Sequence, residues 1–139
     1  MNVVPTPQDP DPLRVLIVDD FAPVRRTVRS LLEEYRTLEV IGEAADGATA
    51  VQLASVLRPD VIVMDVHMPR LDGVEATRRI KAALPEALVI GFSIQYGQGE
   101  AGAMRAAGSS AFVSKDRAED LPQVIQHVTG RNVAGKSLD

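Results

Sequence analysis

The chain has 139 residues, enough for one domain of ordinary size and too few for two, since domains cluster near about 100–150 residues. Hydrophobic residues make up 45% and charged residues 24%, which excludes a disordered, collagen-like or coiled-coil chain; aromatics at only 4% make the expected core aliphatic. A net charge of -4 argues against a surface that neutralises nucleic-acid phosphates, so no direct nucleic-acid binding is expected, and the lack of cysteine excludes disulfides, thiolate metal sites and a cysteine nucleophile.

Residues 1–12 carry four of the nine prolines and almost no hydrophobic pattern, so they are expected to be a disordered leader. They show neither the basic start nor the apolar run of a signal peptide, and nowhere do 18 apolar residues follow one another. A cytoplasmic protein that does not enter membranes is expected.

From Leu13 onward the chain reads as a strand followed by a helix, five times over. The runs Arg14 to Val18, Leu38 to Ile41, Val61 to Met64, Ala87 to Phe92 and Ala111 to Val113 are short, unalternating and rich in β-branched residues, as strands buried on both faces are. The intervening stretches have helical spacing. Val24, Val28, Leu31, Leu32 and Tyr35 form the first stripe, with Pro23 tolerable in the first turn. Val51, Ala54 and Leu57 form the second, stopped by Pro59, and Val74, Thr77 and Leu84 the third, closed by Pro85. The fourth helix, Glu100 to Ala107, is rich in Ala and Gly and weakly striped, and the fifth has Leu121, Val124, Ile125 and Val128. Such alternation over residues 13–129 predicts a flavodoxin-like (βα)5 doubly wound sandwich, a five-stranded parallel sheet in the order 2-1-3-4-5, followed by a tail or truncated linker at 130–139.

That topology places a ligand crevice at the carboxyl ends of strands 1 and 3. Asp19 and Asp20 end the first strand and Asp65 ends the third. Three clustered carboxylates repel one another and call for a hard divalent cation with oxygen ligands, Mg2+ above all. Ser93 follows the fourth strand and Lys115 the fifth, a hydroxyl and an ammonium suited to an anion held at the metal. Together these groups predict phosphoryl chemistry with an aspartate as nucleophile and a labile acyl phosphate as its product. Taken singly, each residue has a plainer reading, and Asp20 could cap the helix that follows. Asp72-Gly73 reads as a turn and cap before the third helix.

In the pair Asp19-Asp20, the segment DVHMPRLDG from Asp65 to Gly73, the Ser93 position and AFVSKD around Lys115, the chain resembles receiver domains of two-component response regulators. GEAADG and GVEATRRI are most similar to the NarL/FixJ-type branch. The resemblance implies that Asp65 is the phosphoacceptor. It further implies that Asp20, Asp65 and the His67 carbonyl hold Mg2+ with Asp19 helping through water, that Ser93 follows the phosphoryl group, and that Phe112 is an aromatic switch. The implied partners are a sensor histidine kinase or phosphotransfer domain. The implied output is altered partner binding or a homodimer through helices 4 and 5.

His67 reads as a neutral surface histidine, since no second His or Cys accompanies it, and with Gln95 it is expected to tune hydrolysis of the acyl phosphate. Ile94 is expected to narrow access to Asp65. Arg25, Arg26 and Arg29 form a basic edge on the first helix, where Arg25 and Arg29 are candidate contacts to the donor. Gly97, Gly99 and Gly102 spell GxGxxG, but they follow the fourth strand and lack the βαβ context of a dinucleotide site, so a mobile segment is the better reading. An Mg2+-dependent phosphohydrolase with an aspartyl nucleophile is the alternative from another class; it would need a second acid two residues after the nucleophile and a lid, and Asp19-Asp20-Phe21 supplies neither. No enzyme activity beyond self-phosphotransfer and autodephosphorylation is expected.

Overall fold

A computed structural model describes residues 11–94 and 98–133. Five parallel strands, β1 (Leu13–Val18), β2 (Leu38–Ala44), β3 (Val61–Asp65), β4 (Leu88–Ser93) and β5 (Ala111–Ser114), lie in the order β2-β1-β3-β4-β5. They alternate with helices α1 (Ala22–Glu33), α2 (Gly47–Leu57), α3 (Gly73–Ala83), α4 (Gln98–Ala107) and α5 (Leu121–Thr129). This is the flavodoxin-like arrangement expected from the alternation of apolar runs and helical stripes.

The strands lack alternation because helices cover both faces. Val15, Ile17, Val61, Val63, Ile90 and Phe92 point to a layer formed by Val28 and Leu32 of α1 and Leu121 and Ile125 of α5. Their neighbours Leu16, Val18, Ile62, Met64 and Val89 point to Ala50 and Ala54 of α2, Ile80 of α3 and Met104 of α4. In the central strands β1, β3 and β4 nearly every residue thus leaves water whichever way it faces, which is the burial that favours a parallel sheet. In α2 the most buried positions are Ala50 and Ala54, with Val51 and Leu57 only half-buried. The small side chains make the closest approach, and Val51 and Leu57, expected on this face with Ala54, pack against the same core.

Local signals set the boundaries. Asp46 caps α2 by accepting the Thr49 N–H at 2.8 Å, and Asp72 caps α3 by accepting the Glu75 N–H at 2.9 Å, as the turn-and-cap reading of Asp72-Gly73 anticipates. Arg58 ends α2 in the left-handed conformation (φ 51°) just before Pro59. Helix α1 departs from expectation. Its N-cap is Phe21, with no side-chain cap, so Asp20 does not serve as one.

Two further differences concern the second half of the chain. Helix α4 begins at Gln98, two residues before the expected Glu100, so Gly99 is helical as well as Gly102. Between β5 and α5, Lys115–Asp120 forms short 3-10 turns broken by a kink at Arg117, whose Nε bonds Asp120 Oδ2 at 2.8 Å. Beyond α5, Val133 is buried against the α1/α5 layer and its N–H donates to Gln126 Oε1. Among the described residues no helix is long and apolar enough to cross a membrane.

Candidate functional site

The carboxyl ends of β1, β3, β4 and β5 converge on one rim. Asp19 follows β1, Asp65 ends β3, Ser93 ends β4 and Lys115 follows β5. One carboxylate oxygen from each of Asp19, Asp20 and Asp65 lies within 4.8 Å of the others. Asp19 and Asp65 are buried, whereas Asp20 is exposed. Into this group reaches the Lys115 ammonium, 2.6 Å from Asp19 Oδ2 and 3.3 Å from Asp65 Oδ1, with the Phe92 ring 5.8 Å away.

Three negative groups against one positive group leave the site short of cationic charge. Burial, followed by the neighbouring Asp19 charge, raises the Asp65 carboxyl from its ordinary 3.8 to about 6, against the opposing pull of Lys115. Asp19 Oδ1 accepts the Phe21 N–H at 2.9 Å, and Asp19 Oδ2 is ion-paired with the Lys115 ammonium at 2.6 Å. Three carboxylates converging within 4.8 Å, with a single ammonium among them, are a donor set suited to a hard divalent cation.

The β3–α3 connection is held against Asp65 by main chain. Gly73 N–H donates to the Val66 carbonyl at 2.7 Å, and a Cβ at Gly73 would lie 2.0 Å from the Asp65 carbonyl oxygen. Gly73 is therefore more than the turn residue the sequence suggests. His67 is exposed, as expected of a surface histidine, and its Nε2 pairs with Glu100 Oε2 of α4, a contact that joins the Asp65 loop to that helix.

Of the remaining candidates, Ser93 is buried on the same rim, one residue past Phe92, the sheet partner of Asp65. Phe112 is half-buried on β5, and its ring lies 2.7 Å from where a Cβ at Gly91 would be. Ile94 is 76% exposed. Gln95 and Gly97 lie outside the described residues. Gly99 and Gly102 sit in α4 with open space where a Cβ would be.

The basic edge expected on α1 is not a free surface. Arg25 and Arg29 both bond Glu43 of β2, at 2.9 and 2.6 Å, and Arg25 Nη1 also donates to the Asp19 carbonyl at 2.7 Å. Glu43 is held below the usual carboxylate range chiefly by its bond to Arg29. This network was not visible in the sequence, because its members lie 14 and 18 residues apart on different elements.

Comparison with known proteins agrees with the geometry. The family described as response regulator receiver domain matches residues 15–126. A curated relative, the protein-glutamate methylesterase/protein-glutamine glutaminase of Alkalilimnicola ehrlichii, is 41% identical over 126 residues, covering 88% of this chain and 32% of the relative. The chain thus spans about a third of that relative's length. A LuxR family two-component response regulator from Aurantimonas sp. superposes with a TM-score of 0.82 at 34% identity, over 88% of this chain and 89% of the other. The response regulator domain of Thermotoga maritima CheB superposes with a TM-score of 0.79 at 30% identity, over 87% of this chain and 98% of the other.

Proposed function

Because the chain belongs to the response regulator receiver domain family, a signalling module of two-component systems, we propose that Asp65 is the carboxylate that accepts the phosphoryl group. The observation that carries this reading is the convergence of Asp19, Asp20 and Asp65 on one rim around the Lys115 ammonium. Asp65 suits the part of a nucleophile: it ends a central strand, is buried, and lies beside both the other acids and the Lys115 ammonium.

Asp20, Asp65 and the His67 carbonyl would hold Mg2+, with Asp19 behind them. When bound, the ion neutralises charge on the approaching phosphoryl oxygens. The residues of the chain do the rest. An oxygen of Asp65 forms the bond to phosphorus, while the bond from phosphorus to the donor's histidine nitrogen breaks and leaves its electron pair on nitrogen. Lys115 compensates the charge that gathers on the transferred group, and the Ser93 hydroxyl donates to one of its oxygens. Phosphate contacts at Ser93 and Lys115 favour one of two conformations, and Phe112 turns inward with that state.

The donor in this reading is a sensor histidine kinase or phosphotransfer domain, and the setting is the cytoplasm. The output is protein recognition or self-association at α4, β5 and α5, not contact with nucleic acid, in keeping with the net charge of -4. The chain performs no turnover of its own beyond phosphotransfer to Asp65 and loss of that group. His67 and Gln95 set the rate of this loss; an unchanged dephosphorylation half-life after substituting both would overturn the assignment.

The test of the main reading is intact-mass spectrometry of wild type and Asp65→Asn after incubation with acetyl phosphate and Mg2+, with a chelator control. One added phosphoryl group that needs both the metal and Asp65 is expected. An adduct that persists in Asp65→Asn, or sustained turnover of an added phosphomonoester, would overturn it.

A further inference from the structure

Arg25 lies one turn into α1, and its guanidinium does not face solvent. Its Nη1 donates to the main-chain carbonyl of Asp19 at 2.7 Å, and its Nε donates to Glu43 Oε1 at 2.9 Å. Glu43 is fixed in turn by Arg29, whose Nε reaches Oε2 at 2.6 Å and whose Nη1 bonds Glu33 at 3.1 Å. Three elements meet in this network: α1, the edge strand β2, and the short connection that carries Asp19 and Asp20. Asp19 is tied at its other atoms as well, with its N–H donating to the Ala44 carbonyl at 3.0 Å and Oδ1 accepting the Phe21 N–H.

We infer that Arg25, clamped by Glu43, is a positioning residue for the acidic site: it fixes the Asp19-Asp20 main chain so that both carboxylates are preset for a divalent cation. The inference rests on the reading of that rim as the Mg2+ site. A charge-assisted bond to a carbonyl, with the guanidinium locked from behind, orders a connection that would otherwise have to be ordered when the ion binds. Supporting groups of this kind orient the residues that touch the metal without touching it themselves.

The sign of the effect separates positioning from plain electrostatics. Arg25 is a cation close to an acidic cluster. If it acted only through its charge, removing it would tighten Mg2+ binding. If it positions the connection, removing it weakens binding despite the more negative field.

The experiment is titration calorimetry with MgCl2 on wild type, Arg25→Met, Arg25→Lys and Arg26→Met, paired with amide hydrogen exchange at Phe21 in the metal-free proteins. Arg25→Met is expected to weaken Mg2+ affinity about tenfold, and to speed exchange at Phe21. Arg25→Lys, which keeps one charged donor, recovers part of both losses. Arg26→Met, on the exposed side of the same helix, leaves the Phe21 exchange rate unchanged and does not weaken binding. Equal or tighter Mg2+ binding by Arg25→Met, with Phe21 exchange unaltered, would overturn the positioning role while leaving the metal site intact. Wild type that binds no Mg2+ would instead overturn the site itself, and the role of Arg25 with it. Should Arg25→Met fail to fold, Arg25→Lys carries the same comparison: weaker binding with faster Phe21 exchange supports the role, and wild-type values overturn it.

Discussion

Gly73 touches Asp65 through main chain alone: a Cβ on Gly73 would lie 2.0 Å from the Asp65 carbonyl oxygen and 2.9 Å from its carbonyl carbon. The first residue of α3 is thus the floor on which the proposed acceptor rests. Gly73→Ala must push backbone against backbone, with no flexible side chain to yield. The expected cost is about 1–3 kcal/mol of stability, read by urea denaturation, together with slower phosphorylation by acetyl phosphate because Asp65 is displaced.

Asp65 gives the metal-free protein a distinctive pH dependence. Its carboxyl titrates near 6 in the folded chain against an ordinary 3.8, so between these values the folded state holds more of this proton than the unfolded state does. Stability therefore falls as pH rises through that window and levels off above it. Asp65→Asn should lack this component and be more stable than wild type above the window. Mg2+ should restore wild type at neutral pH and have little effect below the window, where Asp65 is protonated. Urea midpoints of both proteins across the window, with and without MgCl2, check the sign.

Among the described residues Lys115 is the counter-charge that meets both Asp19 and Asp65. Replacing it by Met leaves two buried carboxylates facing each other. The expected loss is about 3 kcal/mol at pH near 8. It should shrink toward acid pH as Asp65 takes up its proton, and shrink again when MgCl2 is added. Thermal unfolding at two pH values reads this, and a loss that does not depend on pH would point to packing of the lysine stem instead.

Arg58 offers a prediction far from the site. It ends α2 at φ 51°, where a side chain costs energy and glycine does not, while its N–H still caps the helix at Ala54. Its side chain is exposed, and its carbonyl, which glycine would keep, accepts from Arg14. Arg58→Gly should therefore stabilise the protein by about 0.5–1 kcal/mol, measured by urea denaturation, with phosphorylation unaffected.

Much of this architecture is legible in the sequence because two physical demands leave marks there. Strands such as β1 and β3, covered on both faces, must be apolar at every position, and VLIV and VIVM are. The acids that follow them stand out because a chain rarely ends a buried strand in charge without a use for it. What stays hidden is whatever depends on partners distant in sequence. Nothing near Arg25 signals that it will meet Glu43 and the Asp19 carbonyl. Gly99 looks like a residue ahead of the helix, yet α4, whose Met104 and Ala107 are buried, already includes it. Likewise KDRAED carries no helical stripe, so the short 3-10 turns between β5 and α5 leave no mark in the sequence.

The two ends of the described chain meet. Arg131, just past α5, donates to the carbonyl of Asp11, just before β1, on the side of the sheet where β1 begins and away from the acidic rim. An insertion into another polypeptide would therefore enter and leave at one point, with the chemistry at the opposite pole. The same adjacency makes the fold a good subject for circular permutation: a short bridge between these ends, with new termini cut in an exposed connection, should preserve the sheet order and the cluster of acids. In architectural terms the unit behaves as a plug, grasped at its base and read at its tip.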